Sequence, residues 1–127
     1  MSWQAYIDSS LVGSGDVDSA AIFSVDGKDS WAHSPDFKID PAEMKVILDG
    51  FTNPDKLWGE GFKVNGVKYT TIKVEDGSIY GKQGKTGMII VKTVQALLLA
   101  HHPDTVVTGN CANTVEKLGE YLRGVGY

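Results

Sequence analysis

Two dipeptides constrain this chain more than anything else in it: Asn65-Gly66 and Asp76-Gly77. Asn-Gly or Asp-Gly between alternating runs is the strongest short-range hairpin signal, because both central residues of a type I′ turn need positive φ. The flanking runs GFKV (61–64), VKYTTIKV (67–74) and SIYGK (78–82) therefore read as successive strands. Strands joined by two-residue turns must be antiparallel, since a parallel neighbour needs a long crossover. A polar loop, GKQGKTG, then leads into MIIVKT, and QALLLAH follows at 95–101. These last runs are nearly all apolar, as central strands covered on both faces are. Ala and Leu also favour helix, which stays the alternative at 95–101.

The rest of the chain frames this sheet. AAIFSV (20–25), the turn DGK at 26–28 and DSWAHS predict a further hairpin. A helix is expected over 2–12, capped by Ser2, with Ile7 and Leu11 on one face and Gly13 as its stop. Asp40-Pro41-Ala42-Glu43 supplies an N-cap, a Pro at N1 and a Glu at N3. That helix runs to about residue 50 with Met44, Ile47 and Leu48 inward, and Asn53-Pro54-Asp55 ends it. A final helix over about 109–122 carries Val115, Leu118, Gly119 and Leu122 on one stripe. The fold class is α+β: one domain over residues 1–127, a central antiparallel β-sheet with helices on its faces.

The chain's 127 residues suffice for a core without disulfides or metal. A net charge of −4 argues against nonspecific nucleic-acid binding. Cys111 is the only cysteine, no Asn-x-Ser/Thr sequon or signal peptide is evident, and the longest apolar runs are too short to span a bilayer. A reducing cytosol is the expected compartment.

The ends are rich in aromatics: Trp3 and Tyr6, then Tyr121 and Tyr127. At about 100° per residue, Trp3 and Tyr6 fall on a flank of the Ile7–Leu11 face, and Tyr121 falls on a flank of the last helix. If both helices pack antiparallel on one sheet face, those flanks meet, with Trp31 as a floor. The bland alternative is that these rings complete the core. An open groove of rings suits a polyproline II segment, which arrives extended and loses little entropy on docking. Its carbonyls would accept from indole and phenol donors worth about 1 kcal/mol each.

SWQAYID near the start, SIYGK in the middle and LGEYLRGVGY at the end resemble the profilin family of small actin-binding proteins, over the whole chain and nearest to fungal or plant members. The resemblance implies terminal helices on one face of the sheet and smaller helices on the other. It implies that Trp3, Tyr6, Trp31, Tyr121 and Tyr127 line a polyproline groove; animal members carry a histidine where this chain has Tyr121. It implies an actin-binding face with Lys68, Lys73, Lys82, Gly109 and Asn113, while Gly77 and Asn113 stand where basic residues are common. Spaced lysines suit acidic actin, although isolated surface charge reads the same way. The partners implied are monomeric actin and proline-rich proteins such as formins, in a cytoplasmic, cytoskeletal setting. Weak phosphoinositide binding would use Lys82, Lys85 and Lys92, with Lys73 nearby. A peptide or small-molecule sensor on the same scaffold is the other reading.

Catalytic and metal patterns do not assemble. The phosphate-loop pattern ending in Gly84-Lys85-Thr86 requires glycine where Ile79 stands. His101 and His102 are strand neighbours and point to opposite faces. G-x-S-x-G is absent, and Cys111 at a helix start is either a lowered-pKa thiol or a small buried residue. No cofactor is expected, and the reading is a binding protein, not an enzyme.

Overall fold

A computed structural model of the chain describes residues 2–75 and 77–127. Among these residues, seven strands form one antiparallel sheet: β1 (Ser19–Ser24), β2 (Ser30–His33), β3 (Phe62–Val64), β4 (Val67–Glu75), β5 (Ser78–Gln83), β6 (Thr86–Lys92) and β7 (Ala96–His102). Their spatial order is β2-β1-β7-β6-β5-β4-β3. The Asn65-Gly66 turn forms as expected, with φ of 52° and 77°. Gly77 has a φ of 77°; Asp76, the other half of that predicted turn, lies outside the described residues. The expected loop GKQGKTG is shorter than its polarity suggests. Only Gly84-Lys85 turns, because the ladder continues to Gln83 paired with Thr86. The run at 95–101 is strand.

Four α-helical segments are described: α1 (Trp3–Ala5), α2 (Pro41–Thr52), α3 (Pro54–Glu60) and α4 (Thr108–Gly124). The first departs from the single regular helix expected over 2–12. Ser2 does cap it, its Oγ accepting from the Ala5 N–H at 3.1 Å. Past α1, however, the chain widens into π-helical turns over Tyr6–Leu11, then tightens to a 3-10 turn over Val12–Ser14. Gly13 is not the stop; it allows a close pass, since a Cβ there would lie 2.8 Å from the Asp8 carbonyl oxygen. The left-handed residue is Gly15, with a φ of 84°. Pro54 both ends α2 and opens α3, which the sequence reading lacked. Leu57 of α3 is buried, and its carbonyl accepts from Thr71 Oγ1 at 2.8 Å.

The sheet separates two apolar cores. Ile7, Leu11, Ile22, Ile89, Leu98, Val115 and Leu122 fill the side covered by the N-terminal helical segment and α4. Met44, Ile47, Leu57, Phe62, Ile79, Ile90 and Leu99 fill the side covered by α2 and α3. Strands β6 and β7 contribute to both, which explains their continuous apolar sequence.

Glu43 joins α2 to the β3–β4 hairpin. Its carboxylate accepts from the N–H groups of Asp40 (2.9 Å), Asn65 (2.8 Å) and Gly66 (2.7 Å). Burial alone would raise its pKa, but these three donors and nearby Lys63 together hold it below the usual carboxylate value. A depressed folded pKa means stability that is present above the unfolded value, near pH 4.3, and is lost as pH falls through the lower folded one. Glu43→Gln is expected to cost about 1–2 kcal/mol at pH 7, because an amide nitrogen cannot accept. The gap in melting temperature from wild type should close between about pH 5 and pH 3; a gap constant over that range contradicts the assignment.

Candidate functional site

The aromatic residues at the two ends of the chain meet. Gln4 Nε2 donates to the His33 carbonyl at 3.2 Å, fixing the first helical turn beside β2. Trp3 thereby lies against Trp31 of β2, with ring centroids 4.7 Å apart. Trp3 also meets Tyr6 at 5.6 Å and Tyr127 edge-on at 5.2 Å. Tyr6 extends the run to Tyr121 of α4 at 6.3 Å. Trp3, Tyr6 and Trp31 are half-buried against the core beneath them, while Tyr121 and Tyr127 are 54% and 43% exposed. The rings are therefore neither scattered nor sealed: their lower edges pack and their upper faces are open.

At one end of this row a cleft of about 510 Å³ opens between Tyr6 and Tyr121, lined also by Ser10, Thr114, Lys117 and Leu118. Burial, then the neighbouring Tyr121 hydroxyl, pushes the Tyr6 phenol above its ordinary value. It stays protonated, and so remains a donor, throughout the physiological range.

The second candidate surface lies farther along the same sheet face. Lys68 and Lys73 are five positions apart, so strict alternation would point them to opposite faces. A bulge between Thr71 and Lys73 inserts Ile72 and shifts the register, so that Thr70 pairs with Lys82 and Lys73 pairs with Tyr80. Lys68, Lys73 and Lys82 consequently share one face. Lys73 Nζ lies 4.9 Å from the centre of the Tyr80 ring and 3.5 Å from Glu75. Gly109 and Asn113 are exposed on α4, on the stripe that leads to Glu116. Glu116 accepts from Tyr80 Oη at 3.0 Å and Ser78 Oγ at 2.9 Å, which pins this stripe to β5. Burial and this hydrogen bond hold the Tyr80 phenol well above its ordinary value.

Both the family-model match and the relatives then decide the lineage. The profilin family model matches residues 1–127. The profilin of Schizosaccharomyces pombe is 46% identical over 127 residues, covering all of both chains.

This chain belongs to the profilin family.

A crystal structure of the fission-yeast profilin superposes with a TM-score of 0.94 at 45% identity, covering 99% of this chain and 100% of that one. Mouse profilin IIa, solved in complex with a double repeat from the FH1 domain of mDia1, shares the fold with a TM-score of 0.79 at 24% identity over the full length of both chains. The profilin arrangement of terminal helices on one sheet face and smaller helices on the other is the one described above.

One grouping expected from the family likeness is not assembled. Lys82 and Lys73 share a face, and Lys85 occupies the β5–β6 turn. Lys92 alternates onto the opposite face, beside Leu97, with Nζ 5.6 Å from the Phe51 ring. Counting along one strand hides this, because Lys82 and Lys92 belong to different strands. Gly77, where profilins often carry a basic residue, has a neighbour that the sequence did not suggest. Arg123 Nη2 donates to the Lys92 carbonyl at 2.9 Å, and a Cβ on Gly77 would lie 3.3 Å from that nitrogen. Arg123 and Glu116 do not stand out in the sequence because both reach from α4 to strands far away along the chain.

Cys111, His101 and His102 make packing and hydrogen-bond contacts within the fold. Cys111 is fully buried, and burial raises its pKa to about 12, so its thiol stays protonated. His101 pairs with Asp18 at 2.6 Å. Buried His102, on the other face, contacts the Pro103 carbonyl at 2.8 Å and Thr108 Oγ1 at 3.0 Å.

Proposed function

We propose that this chain is a non-enzymatic binding module that takes proline-rich segments in the ring groove and monomeric actin on the face of β4, β5 and the start of α4. It delivers actin monomers to filament-elongating proteins such as formins and so regulates polymerisation. The observation that carries this reading is the continuous row Tyr121–Tyr6–Trp3–Trp31 with Tyr127 beside it, half-packed and half-open. Flat proline rings stack on such faces, and the indole and phenol donors suit carbonyls that have no intrachain partner.

Charge supports the second surface. Lys68, Lys73 and Lys82 on one face are complementary to acidic actin. Gly109 and Tyr121 are twelve residues apart on α4, roughly 18 Å along its axis, so the two partners need not compete. A proline-rich protein can therefore hold the module while its actin cargo is handed on. Family membership also implies faster nucleotide exchange on actin, reached by shifting the populations of actin's conformations.

Titrations with actin and with a proline decamer test the reading. Lys82→Glu is expected to weaken actin binding about tenfold at low salt, with the difference shrinking as added salt screens it. Its affinity for the decamer should not change. Decamer binding without an actin complex at tens of micromolar would favour the peptide-sensor reading instead.

A further inference from the structure

Tyr127 is tightly held. Its main-chain oxygen accepts from Thr93 Oγ1 at 2.6 Å and from the Gln95 N–H at 2.5 Å. Its own N–H donates to the Leu122 carbonyl at 2.8 Å. Gln95 Nε2 donates to the Gly126 carbonyl at 2.8 Å, and Gly126, with a φ of 90°, turns the chain back to meet it. Thr93 and Gln95 lie in the turn between β6 and β7.

The Thr93 hydroxyl has a single hydrogen and two candidate acceptors: the Tyr127 oxygen at 2.6 Å and the Ala96 oxygen at 3.2 Å. The shorter contact takes the hydrogen, which leaves the hydroxyl oxygen to accept from the Ala96 N–H at 3.1 Å. Thr93 is buried, at 7% exposure, so this hydroxyl has little water to turn to. Its geometry is therefore committed to Tyr127.

We propose that Thr93 and Gln95 are positioning residues of the ring groove, clamping Gly126 and Tyr127 so that the Tyr127 phenol stands edge-on to Trp3. The inference rests on reading the groove as a polyproline II site. The clamp acts through order: a ring already held in its binding position gives up less freedom when the ligand docks. Without these hydrogen bonds Tyr127 would be left to be ordered by the ligand itself.

The test is a tryptophan-fluorescence titration with a proline decamer, on wild type, Thr93→Val, Thr93→Ser and Gln95→Leu. The clamp predicts about fivefold weaker binding for Thr93→Val, about threefold for Gln95→Leu, and affinity within twofold of wild type for Thr93→Ser. Actin affinity should stay within twofold in all of them. In protein lacking Tyr127, Thr93→Val should have no further effect, because the residue it positions is gone. Slow amide exchange at the Gln95 N–H in wild type, lost in Thr93→Val, reads the clamp without any ligand. Thr93→Val binding the decamer like wild type overturns the clamp and leaves the groove reading intact. So does an equal loss in the Tyr127-deleted background, or a parallel loss of actin affinity. Wild type that fails to bind the decamer overturns the groove reading, and this inference with it.

Discussion

Trp3→Ala is expected to weaken proline-decamer binding by about ten- to sixtyfold while the domain stays folded. Among the described residues, Trp3 is the one ring in contact with three others: Tyr6, Trp31 and Tyr127. A ring stacked on the indole face is worth roughly 0.5–1.5 kcal/mol to the ligand, and the indole N–H adds about 1 kcal/mol as a donor. Together these make about 1.5–2.5 kcal/mol, and 1.4 kcal/mol is tenfold in affinity. The fold should survive because Trp3 is only half-buried and the residues beneath it, Ile7 and Leu11, carry the packing of that segment. The readout is the intensity change of Trp31 on titration. Trp58, 49% exposed on α3 across the sheet, adds a constant background that Trp58→Phe removes. Unchanged affinity would refute a ligand seat at these rings. An unfolded Trp3→Ala protein would mean that Trp3 is a core residue, and Tyr127 deletion would then be the informative variant.

Local signals predicted well here, and signals that depend on distant pairing did not. Asn65-Gly66 and the alternating runs around it give a hairpin because positive φ at both turn residues leaves little choice. Continuous apolar runs in β6 and β7 follow from burial on both faces. The end aromatics could be assigned to helix flanks from periodicity alone. Their meeting could not, because it needs β1 to pair with β7, some 75 residues away in the chain. No local pattern encodes that pairing. Nor does any residue announce the bulge at Ile72, which brings Lys73 onto the face of Lys68 and Lys82. The π-helical turns after Ala5 also escape a wheel drawn at a fixed angle per residue. The family likeness supplied residue roles without the contacts that position them: Glu116 under Tyr80, Arg123 beside Gly77, and the turn that holds Tyr127.

Gly61→Ala should be among the most destabilising single-methyl additions to the protein, costing about 4 kcal/mol. Gly61 links α3 to β3 with φ 69° and ψ −159°, a region that residues with a Cβ scarcely enter and that costs them roughly 1–3 kcal/mol. Space compounds the strain, since a Cβ there would run into the Tyr69 carbonyl oxygen, which belongs to rigid ladder backbone. Relief would have to come from moving β3 off β4, which separates the stacked rings of Phe62 and Tyr69, now 5.6 Å apart and both buried. For a chain of this size each kcal/mol lowers the melting temperature by roughly 3–5 °C, so a fall of about 15 °C is expected. Gly84→Ala separates the two causes. Its φ of 62° is also positive, but nothing lies within 4 Å of the added methyl, so only about 1 kcal/mol of backbone cost applies. Gly109→Ala, helical and unobstructed, should be neutral or stabilising by about 0.5–1 kcal/mol. If Gly61→Ala melts within about 3 °C of wild type, the junction is more pliable than its contacts imply. Because β3 lies at the far edge of the sheet from β2, the folded fraction of Gly61→Ala should bind the proline decamer with wild-type affinity. A loss of affinity along with stability would mean that the sheet transmits strain from one edge to the other.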